Sequence, residues 1–237
     1  MTQVEEYKKN MSELFSHWKR KKSEDGSINY SEQFFIEDGV IYPKQWFSQD
    51  IRPLYLLKEA HGWDKSGNLI DDHLMNTGKK LHRIWRNVCE WTEGIFETTK
   101  DYLPIYHETE YENNGNDILK KIAVINIKKS SGKSSSDMDE INNYALFDKE
   151  EIMREIALCN PTIIICGYTM SSLNIITDYT VKDEKHPDKD WIYSFELNGH
   201  KVIVIDFFHP ANHYPKLMNY YTLMKIYQMA LQRETEF

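Results

Sequence analysis

The sequence predicts an α/β protein: a three-layer α/β/α sandwich around a central, mainly parallel four-stranded sheet, preceded by an N-terminal helix and a short hairpin. Three observations predict it. Short continuous apolar runs of strand length recur at Pro53–Lys58 (PLYLLK), Ile122–Ile127 (IAVINI), Thr162–Cys166 and Lys201–Phe207, as strands buried on both faces do. Segments of helical period separate them, which is the order of crossover connections in a parallel sheet. Each run also opens directly into a polar, glycine- or proline-bearing stretch, and in such sheets ligands bind beyond the carboxyl ends of the strands.

Taken in order, Val4 to Lys22 places Val4, Tyr7, Met11, Leu14, Phe15 and Trp18 on one helical face. The segment FFIEDGVIY carries an Asp-Gly signal between apolar flanks, so a hairpin is expected around Asp38-Gly39. After the Pro53–Lys58 strand, Glu59–Asn68 reads as an exposed loop. A helix is expected from Gly78 to Trp91, with Leu81, Ile84, Trp85 and Val88 inward, and Glu97–Asn116 as an acidic excursion. The Ile122–Ile127 strand empties into the serine-rich KKSSGKSSSDMDE. Asp148–Leu158 has an N-cap residue and acids in its first turn, so it reads as a crossover helix ending near Asn160-Pro161. A short helix and a charged loop, Lys182–Asp190, follow the third strand. Trp191–Leu197 and Lys201–Phe207 flank Asn198-Gly199, a strong hairpin signal. An amphipathic helix carrying Leu217, Tyr220, Tyr221, Met224 and Tyr227 closes the chain.

Composition narrows the function. At 237 residues one domain is expected, residues 1–50 forming the helix and hairpin extension and residues 51–237 the core. No apolar run approaches the ~20 residues of a membrane span, and the charged start MTQVEEYKKN lacks a secretory h-region, so no membrane partner and a cytoplasmic location are expected. Cys89, Cys159 and Cys166 have no C-x-x-C spacing, so neither a disulfide framework nor a zinc ribbon is implied, and three inert thiols are expected. The formal net charge of −8 opposes a broad duplex-binding surface, so any nucleic-acid contact must be local. Lys19, Arg20, Lys21 and Lys22 read as a solvated helix end.

The strand-end motifs are LLKEAHG (Leu56–Gly62), VINIKK (Val124–Lys129), NPTIIICG (Asn160–Gly167) and FFHPANH (Phe207–His213). In order and placement they resemble the uracil-DNA glycosylase superfamily. The likeness is closest to the branch with a Gly-Glu-Ala-Pro-Gly first motif, a strand ending Asn-Val-Val-Lys and a final His-Pro-Ala. Glu59-Ala60-His61-Gly62, Asn126-Ile127-Lys128-Lys129 and His209-Pro210-Ala211 carry it. The resemblance spans Pro53 to Tyr214 and implies hydrolysis of the N-glycosidic bond of a deaminated base in DNA. His209 would donate to the departing base, where negative charge develops, and Glu59 would assist as the second catalytic residue. Asn126 would read the base edge, because an amide donates and accepts together. His61, Gly62, Trp63 and Lys129 complete the substrate-binding set, Trp63 as a stacking surface.

Some positions depart from the pattern. Ala60 stands where many members carry a water-positioning aspartate, His61 replaces the motif proline and Lys58 its leading glycine. The branch's iron–sulfur cluster needs four thiolates, and this chain has three cysteines, so no cofactor is expected. His209 and His213 stand four apart, but Pro210 disfavours a helix there and no third ligand is evident, so no metal is expected either. Ser131-Gly132-Lys133-Ser134 has Ile127 where a phosphate-binding loop needs glycine, which argues against a nucleotide-hydrolysing loop here. Lys128, Ser131 and Lys133 remain candidates for contact with a DNA phosphate. Structural readings stand beside these: Asn126 capping a turn, Glu59 binding amides of its own loop, the serine loop merely solvated. The expected partners are single-stranded or damaged DNA. The alternative is a non-catalytic protein holding a free base or nucleotide, or working through a protein partner.

Overall fold

Alternation of apolar side chains along four strands builds two cores on opposite faces of one sheet. In the computed structural model, which describes residues 1–75, 81–108, 116–183 and 191–233, these are β3 (Pro53–His61), β5 (Ala123–Gly132), β6 (Ile163–Gly167) and β9 (His200–Phe207). They run mutually parallel in the order β5-β3-β6-β9. Leu54, Leu56, Ile125, Ile164, Cys166 and Val204 point to one core, and Tyr55, Leu57, Val124, Ile165 and Ile205 to the other. The first core is closed by α1 (Gln3–Trp18), α5 (Met138–Phe147), α6 (Lys149–Cys159) and α7 (Met170–Ile176). The second is closed by α3 (Arg83–Glu97) and α8 (Lys216–Arg233). Three layers result. Short helices α2 (Pro43–Trp46) and α4 (Asn116–Leu119) complete the helical elements among the described residues, apart from a π-helical turn at Ile70–Leu74.

The sheet is larger than the expected four strands. β2 (Gly39–Val40) adds to β5 antiparallel at one edge, and β8 (Ile192–Leu197) and β7 (Lys182–Asp183) add antiparallel beyond β9. The sheet is thus mixed and seven-stranded among the described residues. The β8–β9 connection is the expected hairpin: Asn198 and Gly199 both take positive φ, +50° and +81°, as a two-residue turn of this hand requires.

The other expected hairpin is not one. β1 (Ile36–Glu37) pairs in parallel with β4 (Gly67–Asn68), while β2 joins the main sheet. Asp38 explains the difference, because its carboxylate is buried among partners on β5 and turns the chain inward. Gly39, at φ +123°, makes the bend, and a Cβ there would sit 2.7 Å from the Tyr7 hydroxyl.

The first residues of two expected loops are strand. Pairing of β3 with β5 continues to Ala60↔Ser131 and His61↔Gly132 after a register shift beyond Glu59↔Lys128. This bulge lets the polar ends of both strands stay paired while their side chains are re-aimed.

Helix limits follow local chemistry. Thr2 and Glu5 cap α1 reciprocally. α1 stops at Trp18, short of the expected Lys22, and Lys21 then reaches Asp148 at 3.2 Å and Glu151 at 2.5 Å. α3 begins at Arg83 after an extended His82; the expected start at Gly78 lies outside the described residues, as do 109–115 of the acidic excursion and 184–190 of the charged loop. α6 ends in a left-handed Asn160 before Pro161. The N-terminal fifty residues pack mainly into the first core, where the buried Trp46 indole donates to the Cys159 carbonyl at 2.7 Å, while Ile36 and Ile41 join the second. All three thiols are buried and unpaired, and burial pushes each above its usual range. Among the described residues no helix is long and apolar enough to cross a membrane.

Candidate functional site at the carboxyl end of the sheet

β6 and β9 end side by side, level with Leu57 of the longer β3, and bring Gly167-Tyr168 and Phe208-His209 to one edge beside Lys58. His209 is partly buried, and its Nδ1 accepts the Ala211 backbone N–H at 3.1 Å. Nδ1 is therefore unprotonated and Nε2 carries the hydrogen. Burial, with the Lys58 charge adding to it, pushes the imidazole down to about 4. At neutral pH His209 is an uncharged ring with a single N–H donor.

The loop behind it is held from α3. Asn87 Nδ2 donates to the Pro210 carbonyl at 2.7 Å, and the Arg83 guanidinium donates to the carbonyls of Ala211 and, at 3.0 Å, Asn212. Gly167 allows close approach beneath: a Cβ there would stand 2.7 Å from Leu57 Cδ2 and 3.4 Å from Pro210 Cδ. Arg83 and Asn87 were not expected, since nothing in a helix's sequence shows that two of its polar residues reach a loop over a hundred positions later.

Glu59, next to Lys58, belongs to a second group. Its carboxylate accepts from Lys128 Nζ at 3.0 Å, and Lys128 also reaches Glu140 at 2.8 Å. Burial alone would depress the Lys128 ammonium, but hydrogen bonds and charge from Glu140 and Glu59 hold it above its usual range. The same hydrogen bond draws Glu140 below the usual carboxylate range. Gly132 is required here, because a Cβ would lie 2.4 Å from Glu59 Cγ. Glu59 thus binds a lysine ammonium rather than amides of its own loop.

The remaining expected residues spread along this end. His61 is exposed, with Nδ1 3.4 Å from the Gly132 carbonyl, and Gly62 is open at φ +80°. Trp63 lies half-buried over Gly67, and its carbonyl accepts from Ser131 Oγ at 2.7 Å. Lys128 and Ser131 line an open recess of about 310 Å³ with Glu32, Gln33, Phe34, Ser130, Glu140 and Tyr144. Lys133 is exposed, 3.6 Å from Glu140. Of the three phosphate candidates it is the one whose side chain faces solvent, Lys128 being enclosed between two carboxylates.

Asn126 and Lys129 lie deeper. Asp38 Oδ2 accepts from the Asn126 backbone N–H at 2.8 Å and from its Nδ2 at 3.1 Å, fixing which way the amide faces. Lys129, expected at the substrate, is corrected to a core residue. It has no exposure, and its ammonium pairs with Asp38 and, at 2.7 Å, with Glu155 under the rings of Trp18 and Phe15. Burial opposes its charge, but the two carboxylates outweigh that and raise it; burial in turn raises Glu155. Two buried acids need a cation, and Lys129 supplies it. Asp38 was hidden by its own motif, since Asp-Gly reads as a turn.

His209 follows the end of β9 and Glu59 lies in the last residues of β3, whereas Asn126, expected at a strand end, lies buried within β5, level with Leu57 of β3. β5 and β9 are separated by β3 and β6, so Asn126 and His209 are three strand spacings apart across the sheet, about 14 Å in that direction alone. β3 runs on past the level of Asn126 to His61, so a ligand touching both residues must pass this strand. Neither residue lines the recess of Lys128 and Ser131.

What fold and edge together define is an α/β protein with a parallel core, flanked by helices, whose polar groups gather at the strand carboxyl ends. No protein-family model matches the chain, and no curated protein matches it.

Proposed function

We propose that the chain is a uracil-DNA glycosylase-like protein that hydrolyses the N-glycosidic bond of a deaminated base in DNA. The observation that carries this reading is His209: a neutral imidazole at a strand end with its one N–H on Nε2. Cleavage leaves the bond's electron pair on the base, water oxygen adds to C1′, and the water's proton passes to the base or to solvent. A neutral N–H donor stabilises the anionic base without first protonating it. Asn126, its amide oriented by Asp38, reads the base edge through its remaining N–H and its carbonyl. Glu59 acts from the end of β3, held by Lys128.

A second reading is favoured by a specific observation. Ala60 is buried where a water-positioning carboxylate would stand, and Glu59 is neutralised by Lys128. On that reading the protein binds a base or nucleotide at the same edge without cleaving it. Uracil-containing single- and double-stranded oligonucleotides, followed by cleavage of abasic sites, separate the two. The glycosylase reading expects product with the natural chain and with Lys9→Ala, and none with His209→Ala or Asn126→Ala of native circular dichroism. Binding without product selects the second reading.

A further inference from the structure

Two aromatic residues beside His209 adopt a backbone conformation that bulky side chains avoid. Tyr168 has φ +62° and Trp191 φ +64°, outliers for side chains of this size. Both are tied by backbone hydrogen bonds to the residues just before His209: Tyr168 N–H donates to the Phe207 carbonyl at 2.8 Å, and the Trp191 carbonyl accepts from Asp206 N–H at 3.0 Å. The hold does not hide them, because Tyr168 is 61% and Trp191 38% exposed. Trp191 packs edge-on to Phe208 at 5.7 Å, and Phe208 meets Tyr214, itself 52% exposed, at 4.9 Å. The Lys58 ammonium stands 5.9 Å from the Tyr168 ring.

We infer that Tyr168, Trp191 and Tyr214 form a stacking platform for single-stranded DNA, flanking the His209 edge; the inference rests on the glycosylase-like reading and gives its strand form. Strained residues persist where the surrounding structure fixes them, and here that structure turns flat rings outward instead of into the core. Rings with open faces bind unpaired bases whatever their sequence, and duplex bases offer no such face. Charge points the same way. A chain of net charge −8 gains little from counterion release on a duplex, so stacking must supply the affinity, with Lys58 as a local cation.

Binding of the full chain to a thymidine oligomer, to a duplex of equal length and to deoxyuridine monophosphate tests this by fluorescence anisotropy and tryptophan quenching. Trp18, Trp46, Trp85 and Trp91 are buried, so quenching reports on Trp191 and the half-buried Trp63. The single strand is expected to bind tightest and to quench. Tyr168→Ala, Tyr214→Ala and Trp191→Ala are each expected to weaken it roughly 5- to 100-fold, while Trp191→Phe retains binding and loses the quench. Affinity should fall less than about tenfold between ~50 and ~200 mM salt. Equal or tighter duplex binding, binding of the monophosphate alone, or alanine variants within twofold of the natural chain would overturn the platform. Single-strand binding that needs the three rings but releases no base sinks the glycosylase reading and leaves the platform standing; base release unaffected by the three variants does the reverse.

Discussion

Asp38 and Lys129, ninety-one positions apart, form a fully buried ion pair that joins the sheet's edge to its interior. Glu155 closes the group at 2.7 Å from the same ammonium. Removing the cation leaves two carboxylates facing each other out of water. Lys129→Met is therefore expected to cost about 3–5 kcal/mol in urea unfolding, and adding Asp38→Asn and Glu155→Gln to recover much of it. A loss below about 1 kcal/mol for the single change would contradict the arrangement.

His209 sets a pH dependence. In the unfolded chain the imidazole returns to about 6.5, whereas in the folded chain it sits at about 4. The unfolded state thus takes up the proton first as pH falls. The stability held by neutral His209 is complete above about 6.5 and is lost progressively as pH drops through about 4. Compared with His209→Gln, the natural chain should lose on the order of 3 kcal/mol across that window. Asp148, which burial raises to about 6, titrates with the opposite sign and cancels in the comparison. An NMR titration of His209 centred near 6.5 would refute this.

Gly132 and Glu59 occupy one space. Gly132→Ala is expected to destabilise by about 1–3 kcal/mol through overpacking, because the new methyl meets Glu59 Cγ at 2.4 Å. Its effect should shrink in a Glu59→Ala background, where the space is vacated. A double-mutant cycle measures the coupling; additive effects would show that the two residues do not touch.

Tyr168 offers a trade between stability and binding. Its left-handed backbone costs on the order of 1 kcal/mol relative to glycine, and its ring buries little. Tyr168→Gly should leave thermal stability unchanged or raise it slightly while single-strand binding falls. A clear drop in melting temperature would mean that the ring is structural.

The four parallel strands were legible because each is apolar on both faces, a signal independent of distant partners. β1, β2, β4 and β7 were not, since two-residue strands have no period to read. The extension of β3 and β5 past Lys58 and Ile127 was missed because its side chains are polar. Those polar groups satisfy one another as Glu59, Lys128 and Glu140, a pairing that sequence distance conceals. His209 and Glu59 were named from motif order, and the structure supplies what order cannot: the tautomer of one and the counter-ion of the other. Lys129 shows the limit. A lysine at a strand end reads as solvent-facing until Asp38 and Glu155 are known to wait beside it.

The amino-terminal arm has a consequence for synthesis. α1 precedes α6 and β5 in the chain, yet its seat is built from both. Its apolar face must stay exposed until α6, roughly 130 positions later, has been made. The nascent chain is thus prone to aggregation through that interval, and the arm docks as a clasp once α6 is in place.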